Sequence, residues 1–261
     1  MAAYPWLRAG IGALFGLCLG SFLNVLIWRL PQRLSLLRPA SSCPDCGEPL
    51  RRSDLIPVFS WLRLRGCCRS CQVWIGARYP LVEALTALVG AAVGWRFEDC
   101  MTMAAFLVVG AGCIALSVID IDTHTLPTGL VYATGVLGGA LLIVASALNG
   151  CANRLLPAAA AAIVVGLVLY AIWALAPGGF GFGDVRLGAM LALFLGWLSA
   201  AHVFVGVALA FVLGAVAGVA LIVGGRAGRR TAVPFGPFLS AGALISVLFG
   251  QSIIGWWLPA M

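Results

Sequence analysis

The sequence predicts an all-α polytopic membrane protein of about eight transmembrane helices, with a small cysteine-bearing loop domain after the first helix. Three observations predict it: composition, the spacing of the apolar runs, and the clustering of Cys and Arg between them. Hydrophobic residues make up 62% of the 261 and charged residues only 10%, and mean hydropathy is +1.06. A soluble domain carries roughly a quarter charged residues, so this chain lacks the charge to cover itself in water. Lipid is the expected solvent. The net charge of +7 would suit a nucleic-acid partner, but every basic residue is Arg and almost all lie between apolar runs. That pattern belongs to membrane topology, and no nucleic-acid partner is expected.

A helix needs about 20 apolar residues to cross the hydrocarbon core, with about 17 still workable. Runs of that kind fall at 9–28, 80–97, 101–119, 127–148, 155–176, 185–200, 202–224 and 235–255, the sixth being the shortest. The first run lacks a small-residue cleavage site and ends in Ile27-Trp28-Arg29-Leu30-Pro31, so it is read as a retained helix rather than a signal peptide. Gly and Ala occur throughout the runs and suit a closely packed bundle. The division expected is a first helix over 1–28, a loop domain over 29–79 and a seven-helix membrane domain over 80–261.

Orientation follows from the Arg asymmetry. Eight spans put 13 Arg on one side, from Arg29 through Arg78, then Arg186, Arg226, Arg229 and Arg230, and leave Arg8, Arg96 and Arg154 on the other. The long polar segment is therefore expected on the cytoplasmic side. There Cys43-Pro-Asp-Cys46 and Cys68-Arg-Ser-Cys71 form two CxxC turns. Two such turns at this separation can wrap one tetrahedral metal, and cytoplasmic thiols stay reduced. Structural zinc is the expectation, against a redox pair or loose thiols. Four Cys ligands leave no open position, so the metal would fold the loop and do no chemistry. Cys67 stands beside Cys68 as a spare. Cys18, Cys100 and Cys113 read as small hydrophobes in or beside apolar runs.

Charges within spans are costly and usually functional. Glu83 lies near the start of the second span, Asp120 and Asp122 end the third, and Asp184 opens the sixth after Gly178-Gly-Phe-Gly-Phe-Gly183. Topology carries Asp120, Asp122 and Asp184 to one membrane level. Two readings compete. The acids cap helices and balance Arg186, or two of them form a carboxyl dyad. A dyad shares a proton, activates water against a peptide carbonyl and needs no Ser or Cys nucleophile. Of the two histidines, His124 shares the Asp120 turn and His202 is expected at the far side, away from the acids.

Beyond single residues, an ordered set of motifs resembles a known family over nearly the whole chain. The set runs Gly20-Ser-Phe-Leu-Asn-Val25 with Arg29-Leu-Pro31, Asp54-Leu-Ile-Pro57, Ser60-Trp-Leu62, Arg78-Tyr-Pro-Leu-Val-Glu83, Gly181-Phe-Gly-Asp184 and Pro234-Phe-Gly-Pro-Phe238. It is similar to the bacterial type IV prepilin peptidases, relatives of the GxGD aspartyl proteases. The resemblance implies cleavage of prepilin or pseudopilin leaders at the cytoplasmic face of the inner membrane. In many members it also implies methylation of the new N-terminus from S-adenosylmethionine. Carried over by motif, Asp120 and Asp184 are the catalytic pair, with Gly181, Gly183 and Asp122 in support. Asp120, rather than Asp122, stands at the family's spacing before Leu126-Pro127. Cys43, Cys46, Cys68 and Cys71 carry over as metal ligands, and residue 67, often Lys in the family, is Cys here. Glu83 is a candidate for substrate or methyl-donor contact. The loop is itself basic, with Asp45, Glu48 and Asp54 among its few acids, so leader recognition is expected to rest on geometry and lipid. A proton-coupled transporter would need deeper acids and an internal repeat, and a non-catalytic assembly scaffold would tolerate loss of either Asp.

Overall fold

The computed structural model describes residues 4–38, 40–175, 180–225 and 233–257, with Trp257 as backbone only. Gly178, Gly179, Arg226, Arg229 and Arg230, used above, lie outside the described residues. The fold is all-helical: α1 (Pro5–Arg29), α2 (Phe59–Arg63), α3 (Arg78–Arg96), α4 (Cys100–Thr123), α5 (Thr128–Leu148), α6 (Leu155–Leu175), α7 (Phe182–Leu198), α8 (Ala200–Val223) and α9 (Gly236–Trp257). Among the described residues the only extended pairing is two isolated antiparallel bridges, Ser42 with Pro49 and Cys67 with Trp74.

A helix stands at each of the eight expected positions, but among the described residues six are long and apolar enough to cross a membrane: α1, α4, α5, α6, α8 and α9. The other two fall short for different reasons. At 17 residues, α7 rises about 25 Å at 1.5 Å per residue, against a hydrocarbon core of about 30 Å. The polar first turn of α3 and its Glu83 lower its hydropathy. About eight spans is therefore not established, and six is the number that length and composition support.

The chain divides into two compact units, Met1–Glu98 and Asp99–Met261. Within the first unit α3 packs on α1, and the cysteine loop connects the two helices. A glycine stripe explains the pairing. Gly12, Gly16 and Gly20 recur one turn apart on α1 and face the α3 backbone at Gly90, Thr86 and Glu83. A Cβ at Gly20 would stand 2.7 Å from Glu83 Cα. In lipid, where apolar burial between helices gains little, such close backbone approach supplies the packing energy.

In the second unit α4 is the centre, with 78% of its most apolar stretch buried, against 11% for α6 and α8. The α4 helix packs on α5 and α9, while α7 packs on α5, α6, α8 and α9. Phe106 meets Phe194 edge-on at 6.2 Å, and Trp197 Nε1 donates to Ser146 Oγ at 2.8 Å. Asp99 caps α4 by accepting from the Thr102 amide at 2.7 Å. His202 is buried at the start of α8, where its Nδ1 pairs with Ser199 Oγ at 2.7 Å. Its amide also donates to Ser199 Oγ, the N-cap of α8.

Candidate active site, metal centre and loop cavity

The two sequence-distant acids meet in the second unit. Asp120 lies on the last turns of α4, and its carbonyl accepts the His124 amide at 2.8 Å. There His124 adopts φ 51° and turns the chain out of the helix. The Asp120 side chain is 5% exposed, and its Oδ2 accepts from the Gly236 amide, at the first residue of α9, at 2.9 Å. A Cβ at residue 236 would lie 2.7 Å from that oxygen, so glycine lets the amide reach the carboxylate.

Asp184 lies three residues beyond the N-cap Gly181 of α7. Its Oδ2 accepts from the Gly181 amide at 3.2 Å, so it does part of the capping that its position foretells. Its Oδ1 is buried with no hydrogen-bond partner. The Asp120 and Asp184 carboxyls are close enough for their charges to interact, as are Asp120 and His124. Asp122, two residues further along α4, is exposed.

One side chain joins the three helix ends. Leu126, in the α4–α5 turn, abuts Gly183, where a Cβ would come within 2.9 Å, and Gly236, where it would come within 3.2 Å. Among the described residues no ion pair is found between Arg186 and these acids. The Arg186 guanidinium donates to Thr128 Oγ1 at the start of α5 and lies 4.4 Å from the Phe182 ring centroid.

In the first unit the four expected cysteines converge, with their Sγ atoms all within 4.8 Å of one another. Cys43 and Cys71 are 3.8 Å apart and Cys46 and Cys68 4.0 Å. A tetrahedron with metal–sulfur bonds of about 2.3 Å has edges of about 3.8 Å, so the donor set fits one metal. The two turns repeat each other. The Cys43 amide donates to Glu48 O and the Cys68 amide to Val73 O, and the residues after the second Cys of each, Gly47 and Gln72, have φ 73° and 58°. The amides of Cys71 and Ser70 hold the Cys68 thiol down to about 7. The Val73 amide acts to lower Cys71, but burial and the three neighbouring sulfurs push it up to about 12. That crowding of thiols is what a divalent cation relieves. Cys67 stays outside the cluster, its Sγ directed to Arg65 O.

Beside this centre lies a cavity of about 570 Å³ lined from α1 by Ser21, Asn24 and Trp28, from the loop by Asp54 and Trp61, and from α3 by Glu83. Cys43 and Cys68 line it too, and so do Asp45 and Glu48. The loop's scarce acids, unremarkable in the sequence, thus converge on one space. Asp54 is paired with Arg69, whose guanidinium holds its carboxyl below the ordinary carboxylate range. Because that pKa is depressed, the contact's contribution is present above the unfolded carboxylate range and is lost as pH falls through the folded value.

Glu83 has a role the sequence did not reveal. Its Oε2 accepts from the Val58 amide at 2.7 Å, and Ser21 and Asn24 also hydrogen-bond to it. Val58 has φ 60° and ψ −49°, and the Phe59 amide donates to Pro57 O at 2.6 Å. This is a γ-turn of the strained hand, held by the carboxylate. Glu83→Ala is expected to lower stability by about 1–3 kcal/mol, and Val58→Gly to raise it by about 1 kcal/mol. Thermal unfolding in detergent measures both, and an unchanged Glu83→Ala would show that the turn stands without its clamp.

Residues 14–97 match the Bacterial Peptidase A24 N-terminal domain, and residues 107–223 match the Type IV leader peptidase family. The chain is 35% identical to a prepilin leader peptidase/N-methyltransferase of Aeromonas hydrophila, over 97% of its own length and 95% of that protein. A protein of the same description from Bacillus subtilis (strain 168) is 36% identical over 94% and 96%, and one from Pseudomonas aeruginosa is 33% identical over 97% and 94%. No solved structure matches.

Proposed function

This chain belongs to the type IV leader peptidase family, and from that premise we propose that it removes the leaders of prepilins or pseudopilins and then methylates the new N-terminus. The observation that carries the cleavage half is the buried Asp120–Asp184 pair, with Asp184 Oδ1 open to a further partner. In this mechanism the ionised member of the pair takes a proton from water as the water oxygen bonds to the scissile carbonyl carbon. The protonated member donates to the carbonyl oxygen. As the tetrahedral intermediate collapses, the C–N bond breaks and the leaving amine takes up a proton. Gly236 and Gly181 amides hold one oxygen of each carboxyl in place. The exposure of Asp122 supports Asp120 as the member of the pair that α4 supplies.

The site's position supports the substrate. Both acids sit at helix ends, Asp120 in the last turns of α4 and Asp184 in the first turn of α7. A basic leader joined to an apolar helix presents its scissile bond at such a boundary. Counting α3 and α7 as spans as well, the Arg asymmetry assigns that boundary and the cysteine loop to the cytoplasmic side of the inner membrane, with the metal of the four cysteines being structural zinc.

For the methyl donor, the cavity of the first unit is the fitting site. Its volume suits a nucleoside-sized ligand, the rings of Trp28, Trp61, Trp74 and Tyr79 line it, and Asp45 and Glu48 bring negative charge toward a sulfonium. When bound, S-adenosylmethionine supplies an electrophilic methyl group. The protein's part is to hold the donor against the rings and admit the amine deprotonated. Glu83 lines the cavity and clamps the Val58 turn that leads into Ser60 and Trp61 of its wall, and acts here as a positioning residue.

Co-expression with a prepilin in peptidase-null cells tests the whole, read by gel shift and by the mass of the mature N-terminus. A shift with one added methyl is expected, and a well-folded protein that processes no prepilin would return the transporter and scaffold readings. Within the site, Gly183→Ala is expected to displace Leu126 and slow leader removal by about tenfold or more. Adding Leu126→Gly, which removes the Cβ that the new methyl meets at 2.9 Å, should recover most of the loss. Full activity in the single variant would mean that this packing does not set the geometry.

A further inference from the structure

Residues 51–65 of the first unit have two faces with different company. Asp54, Ser60, Trp61 and Leu64 line the cavity. So does Leu55, whereas Ile56, Phe59 and Leu62 do not, and they are exposed at 46%, 57% and 61%. Arg52, Arg63 and Arg65 flank these three, are also exposed and also stay out of the cavity lining. The one acid of the segment, Asp54, is turned inward and paired with Arg69. The outer face is thus apolar at its middle, basic at both ends and free of acids.

We propose that this face docks on the membrane surface, with Ile56, Phe59 and Leu62 at the acyl boundary and Arg52, Arg63 and Arg65 on the phosphates of anionic lipid headgroups. The composition is that of an in-plane amphipathic segment, in which buried apolar area and attraction to anionic lipid act together. Location supplies a second reason. The segment belongs to the loop joining the end of α1, an apolar span, to the start of α3, which packs along it, so it emerges where that pair ends. The exposed Trp28 and Tyr79 mark the same end, as interfacial aromatics do. The pattern also recurs beside α1, where Leu34 and Leu37 are exposed between exposed Arg33 and Arg38. Charge decides against the other occupants. A basic leader would be repelled by this face, and a second copy would bring the same Arg residues against it. Since the inner side of the segment is cavity wall, seating it on lipid also braces the cavity. The inference depends on the membrane reading of the chain and not on its peptidase activity.

The test uses the full-length protein in nanodiscs of phosphatidylcholine alone or mixed with phosphatidylglycerol. Amide hydrogen exchange across residues 52–65 is expected to be at least about tenfold slower with the anionic lipid. The triple variant Arg52→Gln, Arg63→Gln, Arg65→Gln should lose that lipid dependence, with an unchanged metal content showing that its loop is folded. Independently, benzoylphenylalanine in place of Phe59 should crosslink to lipid. Equal exchange in both lipids, or crosslinks to a second copy or to prepilin instead of lipid, would overturn the proposal.

Discussion

Asp184→Asn is expected to leave a folded, membrane-inserted protein that removes leader at least about 10³-fold more slowly than the wild type. The substitution separates the two roles open to this residue. An asparagine oxygen can still accept the Gly181 amide that Asp184 Oδ2 accepts now, so the start of α7 stays capped. What it cannot do is ionise or hand a proton to a carbonyl. A cap would therefore survive the change, and an acid catalyst would not. Asp120→Asn poses the same question on the other side, because its amide oxygen can still meet the Gly236 N–H. Asp122→Asn, at an exposed position, should stay within about threefold of wild type. The readout is gel shift of prepilin at matched membrane levels in peptidase-null cells. Wild-type cleavage by both Asp120→Asn and Asp184→Asn would end the aspartic mechanism. Activity in Asp120→Asn with none in Asp122→Asn would move the pair to Asp122.

Loss of the metal should have an effect of similar scale, read in structure rather than rate. Structural zinc contributes about 10–16 kcal/mol in small Cys-ligated modules, as much as the whole stability of an ordinary domain. Cys68→Ser, or chelation, is therefore expected to unfold both cysteine turns, with hydrogen exchange over residues 41–75 accelerating by orders of magnitude. Cys43 and Cys68 also line the cavity, so affinity for S-adenosylmethionine should fall by about 100-fold or more. Cys67→Ser serves as the control, since its sulfur lies outside the cluster and is directed to Arg65 O. Elemental analysis should find one zinc per wild-type chain and per Cys67→Ser chain, and none in Cys68→Ser. A wild-type protein without metal, whose loop is nevertheless protected from exchange, would exclude the assignment.

Much of this architecture is legible in the sequence, and the reasons for success and failure are physical. Apolar runs announce helices because lipid admits few alternatives, and each of the eight runs became one. The runs could not say which helices pair. The α1–α3 contact spans the polar segment and rests on glycines at 12, 16 and 20, whose spacing was hidden among abundant small residues. The four cysteines were readable because metal geometry limits their spacing. Burial separates Asp120 from Asp122, a difference that two acids within one helical turn do not display in one dimension. Glu83 was visible as an acid in an apolar run, but its partner was not. No pattern in Pro57-Val58-Phe59 announces a positive-φ valine, because valine avoids that conformation. The outer face of residues 51–65 was likewise hidden, since a basic segment with scattered apolar residues reads as a solvated loop.

The glycine-packed α1–α3 pair has a consequence for how the protein is made. The first unit runs unbroken from Met1 to Glu98. Every group that joins α1 to α3, and every cysteine of the metal cluster, has therefore been translated before α4 leaves the ribosome. The second unit is built otherwise, for Asp120 waits for an amide 116 positions downstream. Chain elongation thus imposes a schedule in which helix pairing and convergence of the four cysteines can be complete while Asp120 and Asp184 are not yet brought together. A nascent chain stalled within α8 would already hold its four cysteines, and it would lack the Gly236 amide that orients Asp120.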